Sequence, residues 1–153
     1  MSISKSQILV PKTSIEEIIG LYNYGSFRET ISLGEHLARQ YPGSIEIYEI
    51  LAAAYMNLEN VDKTIELYRK VLQLTPNHID ANNNLGMVFY SQGKFNESVS
   101  YYEKTVQLDP SSVDAHYNLG NALKQTGNLK KAIKSYQSSL AISPNDVEVL
   151  FNY

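Results

Sequence analysis

Apolar and small side chains recur along this chain with a helical spacing that is itself repeated. From Ile79 they return at Ala81, Leu85, Gly86, Val88 and Phe89, the spacing of one helix face. Gly93 interrupts the pattern. A second stretch begins near Asn96 and carries Val99, Tyr102, Val106 and Leu108 as its expected buried stripe, until Pro110 stops it. A proline pushes the residue before it out of the α region, so a helix ends there. The pattern predicts a helix, a tight turn, a second helix and a short proline turn.

The same arrangement returns along the sequence. Pro42, Pro76, Pro110 and Pro144 follow one another at steps of 34 residues. Leu51, Leu85 and Leu119 keep that step, as do the small residues Ala52, Gly86 and Gly120 after them. Tyr55, Phe89 and Leu123 share a further phase, and Tyr68, Tyr102 and Tyr136 another. Gly25, Gly93 and Gly127 occupy one turn position, with Glu59 in the remaining slot. Self-similarity at a fixed period of this length marks an array of repeats, each too small to bury its apolar faces alone. The small residue at 52, 86 and 120 is expected to let the paired helix approach, and the aromatic at 68, 102 and 136 to fill the space between helices. The units read as 11–44, 45–78, 79–112 and 113–146 within a single domain, 1–153, with 147–153 as the truncated start of a further unit.

Residues 113–146, VDAHYNLGNALKQTGNLKKAIKSYQSSLAISPND, strongly resemble the tetratricopeptide repeat. Their Asn-Leu-Gly, Gly127, Ala132, Tyr136 and Pro144 fall on that family's signature positions. Residues 79–112 resemble it nearly as well, with Ser98 in place of the usual alanine, and 45–78 carry Ala52 and Thr64 in the glycine and alanine slots. Residues 11–44 depart most, because Glu17 and Ile18 replace the Leu-Gly pair; a capping repeat is expected to be atypical. The resemblance implies an all-α fold, a right-handed superhelical solenoid of antiparallel helix pairs. It also implies a concave surface, lined by the first helix of each unit, that holds another polypeptide.

Composition narrows the chemistry. The formal net charge is −3, which gives no electrostatic reason to expect nucleic acid. There is no cysteine, so disulfides, thiol catalysis and cysteine-bound zinc are excluded. The first fourteen residues offer only Ile8, Leu9 and Val10 as an apolar run, short of the roughly 7–15 of a secretory signal. No stretch approaches the roughly 20 apolar residues of a membrane span. These readings point to a soluble, cytoplasmic protein with no membrane partner. His36, His78 and His116 lie on different units without metal-ligand spacing, and no phosphate-cradling or nucleophile motif occurs. The expectation is therefore a non-enzyme with no metal and no cofactor, in which His116 serves packing. Lys124, Lys130, Lys131 and Lys134 read as a solvated face. Asn77 with Asp80, Ser111 with Asp114, Asn145 with Glu148 and Ser14 with Glu17 stand three apart at helix starts and resemble capping boxes. Those acids are alternatively ligands for a basic peptide.

Mapping the family's concave phases onto this chain yields Asn83, Met87, Tyr90, Tyr117, Asn121, Lys124 and Gln125 as partner-binding candidates. Asn84, Asn118 and Asn152 share one further phase. This row resembles the asparagine ladder in the repeat arm of O-linked N-acetylglucosamine transferase, where amides bond a ligand's backbone. An amide suits that task because it both donates and accepts. The first two units carry Glu16 and Ile50 in those slots, which confines any ladder to the second half. The family's carboxylate clamp for chaperone tails needs basic residues where this chain has Glu49, Asn83 and Tyr117, and so is not expected. Three functional readings stand. The first is a protein–protein interaction scaffold binding an extended peptide or partner helix in its groove. The second is the recognition arm of a larger glycosyltransferase or sulfotransferase. The third is a homo-oligomer assembled through a C-terminal helix begun by Val147, Leu150 and Phe151.

Overall fold

The computed structural model describes residues 9–146 and Val149. All regular structure among them is helical: α1 (Lys12–Asn23), α2 (Phe27–Gln40), α3 (Ile45–Asn57), α4 (Val61–Leu74), α5 (Ile79–Ser91), α6 (Phe95–Leu108), α7 (Val113–Gln125) and α8 (Leu129–Ile142). The chain divides into two compact units, Met1–Pro76 with α1–α4 and Asn77–Tyr153 with α5–α8. Within each, successive helices pack on one another, and the first helix of one pair also touches the first helix of the next, α1 on α3 and α5 on α7.

Two kinds of turn alternate. The turns inside each pair need a left-handed residue: Gly25, Gly93 and Gly127 have φ of 81°, 71° and 78°, and Glu59 takes the same conformation at 57°. Asn60 N–H reaches back to Tyr55 O and Glu59 N–H to Met56 O, the paired bonds that close a helix end through a left-handed residue. The turns between pairs contain the prolines. The residue before each of them, Tyr41, Thr75, Asp109 and Ser143, has left the helical region, with φ between −126° and −138°. Those helices therefore end two residues before the proline.

The helix starts after the proline turns depart from the capping pairs read in the sequence. The caps sit one residue later than Asn77 and Ser111, at His78 and Ser112, and with Ser44 at α3 their side chains accept from the N–H of Ala81, Ala115 and Ile47. Asp146 repeats the bond to Val149 N–H at 3.2 Å. The third helical position is apolar and buried each time, so no acid reaches back from it; Glu46, Asp80 and Asp114 instead stand in the first turn and oppose the helix dipole. Ser111 donates to Asp109 Oδ1 at 2.7 Å and caps nothing. No side-chain cap forms at α1, whose N-cap is Pro11, and Glu148 lies outside the described residues.

The core follows the 34-residue phases, with one correction. Tyr68, Tyr102 and Tyr136 are buried as expected, and Tyr102 and Tyr136 lie against Gly86 and Gly120 of the preceding helix. In α6, however, Val99, Val106 and Leu108 are only half-buried, and the buried positions are Ser98, Tyr102 and Thr105. Space between helices is short there, and a small polar side chain fits if its hydroxyl finds an acceptor. Ser98 donates to Gly86 O at 2.8 Å and Thr105 to Tyr101 O at 3.1 Å. Ser139 does the same to Val113 O at 3.0 Å, tying α8 to the start of α7. His116 also differs from its expected packing role: its Nε2 lies 3.0 Å from Pro110 O, bracing the proline turn.

Candidate functional site

The candidate site belongs to the second unit and follows from what α5 and α7 do not bury. The core side of α5 is Ala81, Asn82, Leu85, Gly86, Val88 and Phe89; that of α7 is Ala115, Leu119, Gly120, Ala122 and Leu123. Asn83, Met87 and Tyr90 stand four and three residues apart on α5, so they form one stripe on another side of the helix. Tyr117, Asn121 and Lys124 form the same stripe on α7. Because α5 and α7 touch, the two stripes are neighbours.

Each candidate has a definite place. Met87 is 42% exposed, and Lys124 and Gln125 are exposed. Tyr90 and Tyr117 are half-buried and pack their rings against the core cluster of Tyr102, Leu119 and Tyr136. Tyr90 meets Phe95 edge-on at 5.2 Å between centroids, and Tyr117 is tilted against Tyr136 at 6.1 Å. Asn84 and Asn118 are half-buried, and Asn84 has a partner of its own. Asn121 is engaged too, since its Oδ1 accepts from the Tyr136 hydroxyl at 2.8 Å. Asn83 Oδ1 is sequestered from solvent and has no hydrogen-bond partner. Asn152, with Val147, Leu150 and Phe151, lies outside the described residues.

The face is rich in uncharged donors and acceptors. Burial, then the neighbouring Tyr117 and Tyr90, push the Tyr136 hydroxyl up to about 12. Burial, then Tyr90, push Tyr102 up to about 12 as well. Both remain phenols at any physiological pH, so Tyr136 holds the Asn121 amide as a neutral donor. Such a surface offers aromatic area, amides for peptide groups, and the exposed Lys124. Tyr136, a core residue by its repeat phase, also belongs to the site, because its hydroxyl reaches the Asn121 amide.

Family models described as TPR repeat match residues 52–93 and 86–127, and one described as tetratricopeptide repeat matches 113–146. The chain belongs to the tetratricopeptide-repeat family. Solved structures agree on the fold of this tetratricopeptide-repeat protein. MamA from Desulfovibrio magneticus RS-1 superposes with a TM-score of 0.84 at 24% identity, over 90% of this chain and 78% of that one. A MamA RS-1 double mutant gives the same TM-score of 0.84 over the same shares, also at 24% identity. MamA AMB-1 gives 0.79 at 17% identity, over 97% of this chain and 82% of that one. A comparison with curated proteins yields no match. No helix among the described residues is long and apolar enough to cross a membrane.

Proposed function

We propose that this tetratricopeptide-repeat protein is a non-catalytic interaction scaffold whose second unit binds an extended peptide on the adjoining stripes of α5 and α7. The observation that carries the reading is the composition of those stripes. Two half-buried tyrosines, an exposed methionine and several amides stand side by side outside the core. Asn83 adds a sequestered acceptor with no partner, an arrangement that leaves roughly 1–3 kcal/mol of hydrogen-bonding free energy for an arriving donor or a small side-chain rotation to recover. Tyrosine supplies broad contact area at low conformational cost, and amides match peptide groups without regard to sequence. Each such hydrogen bond contributes only about 0.5–1.5 kcal/mol net, so binding needs several in register.

The test is a peptide-array screen of wild type against a Met87→Glu/Asn118→Ala variant. Both substitutions lie off the buried side of their helices, so helicity and melting temperature are expected to hold. Peptides captured by wild type and lost by the variant support the site. Equal capture by two folded proteins removes this face from the function. The asparagine ladder is the narrower form of the proposal: within the described residues it comprises Asn84 and Asn118, and Asn84→Ala/Asn118→Ala tests it separately.

A further inference from the structure

The first unit contains a cleft that the peptide-binding reading does not use. It measures about 280 Å³ and opens between α2 and α4 over α3. Its floor is apolar, made by Ala38, Leu51 and Leu67 with the rings of Tyr48 and Tyr55. Its rim is ionic and carries both signs. Lys63 Nζ holds Glu66 Oε2 at 2.8 Å across one turn of α4. On α2, Glu35 accepts from the Tyr55 hydroxyl at 2.6 Å through Oε1. Burial and then the bond to Glu35 push the Tyr55 hydroxyl up to about 12, so it stays a donor and fixes the carboxylate over the cleft.

Glu35 and Arg39 stand four apart on α2, a spacing at which acid and base readily pair. Among the described residues neither of them takes part in an ion pair. The cleft thus presents a carboxylate at one position and an unpaired guanidinium about one turn away, above an apolar floor. Its four rim charges, Glu35, Glu66, Arg39 and Lys63, sum to zero. A ligand with a single charge would meet only one of Glu35 and Arg39 and leave the other without an ionic partner. A ligand with both charges on a small frame satisfies both. The volume lies near the lower end for ligand pockets, roughly 300–1,000 Å³, and is too small for a helix.

We propose that this cleft binds a free aliphatic α-amino acid, its ammonium at Glu35, its carboxylate at Arg39 and its side chain on Leu51 and Leu67. The site stands on residues 35–67 alone and is independent of the peptide-binding face. The experiment is a titration of the intact, isotope-labelled chain with L-leucine, followed through backbone amide resonances. N-acetyl-L-leucine, which lacks the ammonium, and L-leucinamide, which lacks the carboxylate, are the comparison ligands. Saturable shifts confined to α2–α4 are expected for leucine, with both analogues binding at least tenfold more weakly. Arg39→Gln is expected to weaken leucine at least tenfold and to leave leucinamide unchanged. Glu35→Gln keeps an acceptor for Tyr55 and is expected to weaken leucine while leaving N-acetyl-leucine unchanged. No saturable shift at millimolar excess, equal response to all three ligands, or unchanged leucine binding by both folded variants overturns the proposal.

Discussion

Ile18 and Gly34 meet across α1 and α2 with their sizes exchanged relative to Gly120 and Tyr136 across α7 and α8. The two pairs occupy the same repeat positions. A Cβ added at Gly34 would lie 2.9 Å from Ile18 Cδ1 and 2.7 Å from Leu51 Cδ2. One added at Gly120 would lie 2.5 Å from Tyr136 Cε1 and 2.7 Å from Cδ1. Gly86 stands against Tyr102 in the same way, at 2.7 Å. At each of these crossings a large side chain faces a glycine, while the helix that supplies the large side chain changes.

The two crossings differ in how they give way. Gly34 faces the aliphatic side chains of Ile18 and Leu51, with Leu51 Cγ also at 2.9 Å, and these yield by changing rotamer, whereas the Tyr136 ring is held at both ends by the core and by Asn121. Replacing glycine by alanine inside a helix gains about 1 kcal/mol from propensity, and overpacking a core costs about 1–3 kcal/mol. Gly34→Ala is therefore expected to change stability by less than about 1 kcal/mol, and Gly120→Ala to lower it by roughly 1–2 kcal/mol. Urea unfolding of both variants checks this. Equal stabilities would mean that the ring does not set the helix separation.

Glu59 is the one non-glycine residue with positive φ among those described, at the turn where the other pairs use glycine. A left-handed conformation costs an L-residue about 1–2 kcal/mol, part of which glycine returns through its greater freedom in the unfolded chain. Glu59→Gly is expected to stabilise the protein by about 0.5–1 kcal/mol. A urea midpoint that falls would show that the Glu59 side chain contributes more than its backbone strain costs.

The cap row yields a contrast between adjacent serines. Ser112 accepts from Ala115 N–H at 3.1 Å, while Ser111 turns to Asp109. Ser112→Ala is expected to cost about 1 kcal/mol, the usual value of an N-cap. Ser111→Ala is expected to stay within about 0.5 kcal/mol, as an exposed substitution does. Thermal melts of the pair distinguish the two registers, and the reverse order would restore the capping pair read from Ser111 and Asp114.

Those serines also show where sequence reasoning reached its end. The 34-residue phases of proline, glycine and tyrosine were readable because each reports a local demand of size or backbone angle. The cap register was not, because Ser111 and Ser112 are both good caps and the chain path after Pro110 selects between them. The Ile18 and Gly34 exchange was hidden for another reason. Each looks like a poor match taken singly, and only their contact makes them a pair. In the candidate site, the family resemblance pointed to Asn83, Met87 and Tyr90 on one helix and Tyr117, Asn121 and Lys124 on the next, and their spacing puts each trio on one stripe. It did not reveal that Tyr136, fifteen residues from Asn121, already engages that amide, since such a bond depends on how α8 packs on α7.

The buried phenols predict a loss of stability in alkali with a definite sign. Tyr102 and Tyr136 hold their protons to about 12 in the folded chain, against 10.0 for an ordinary tyrosine, chiefly because burial disfavours the phenolate. Between those values the unfolded chain has released protons that the folded chain retains, so raising the pH favours unfolding. The stabilisation is complete below pH 10 and is lost progressively as pH rises towards 12. Tyr102→Phe removes one of the titrating groups and keeps the ring against Gly86, so its melting temperature is expected to fall less steeply over that interval. Tyr24→Phe, at a ring 89% exposed, is the control and is expected to follow wild type. Melting curves taken across the interval decide the matter: identical slopes for wild type and Tyr102→Phe would mean that the hydroxyl reaches water in the folded state, and the packing described for α5 and α6 would then be too tight.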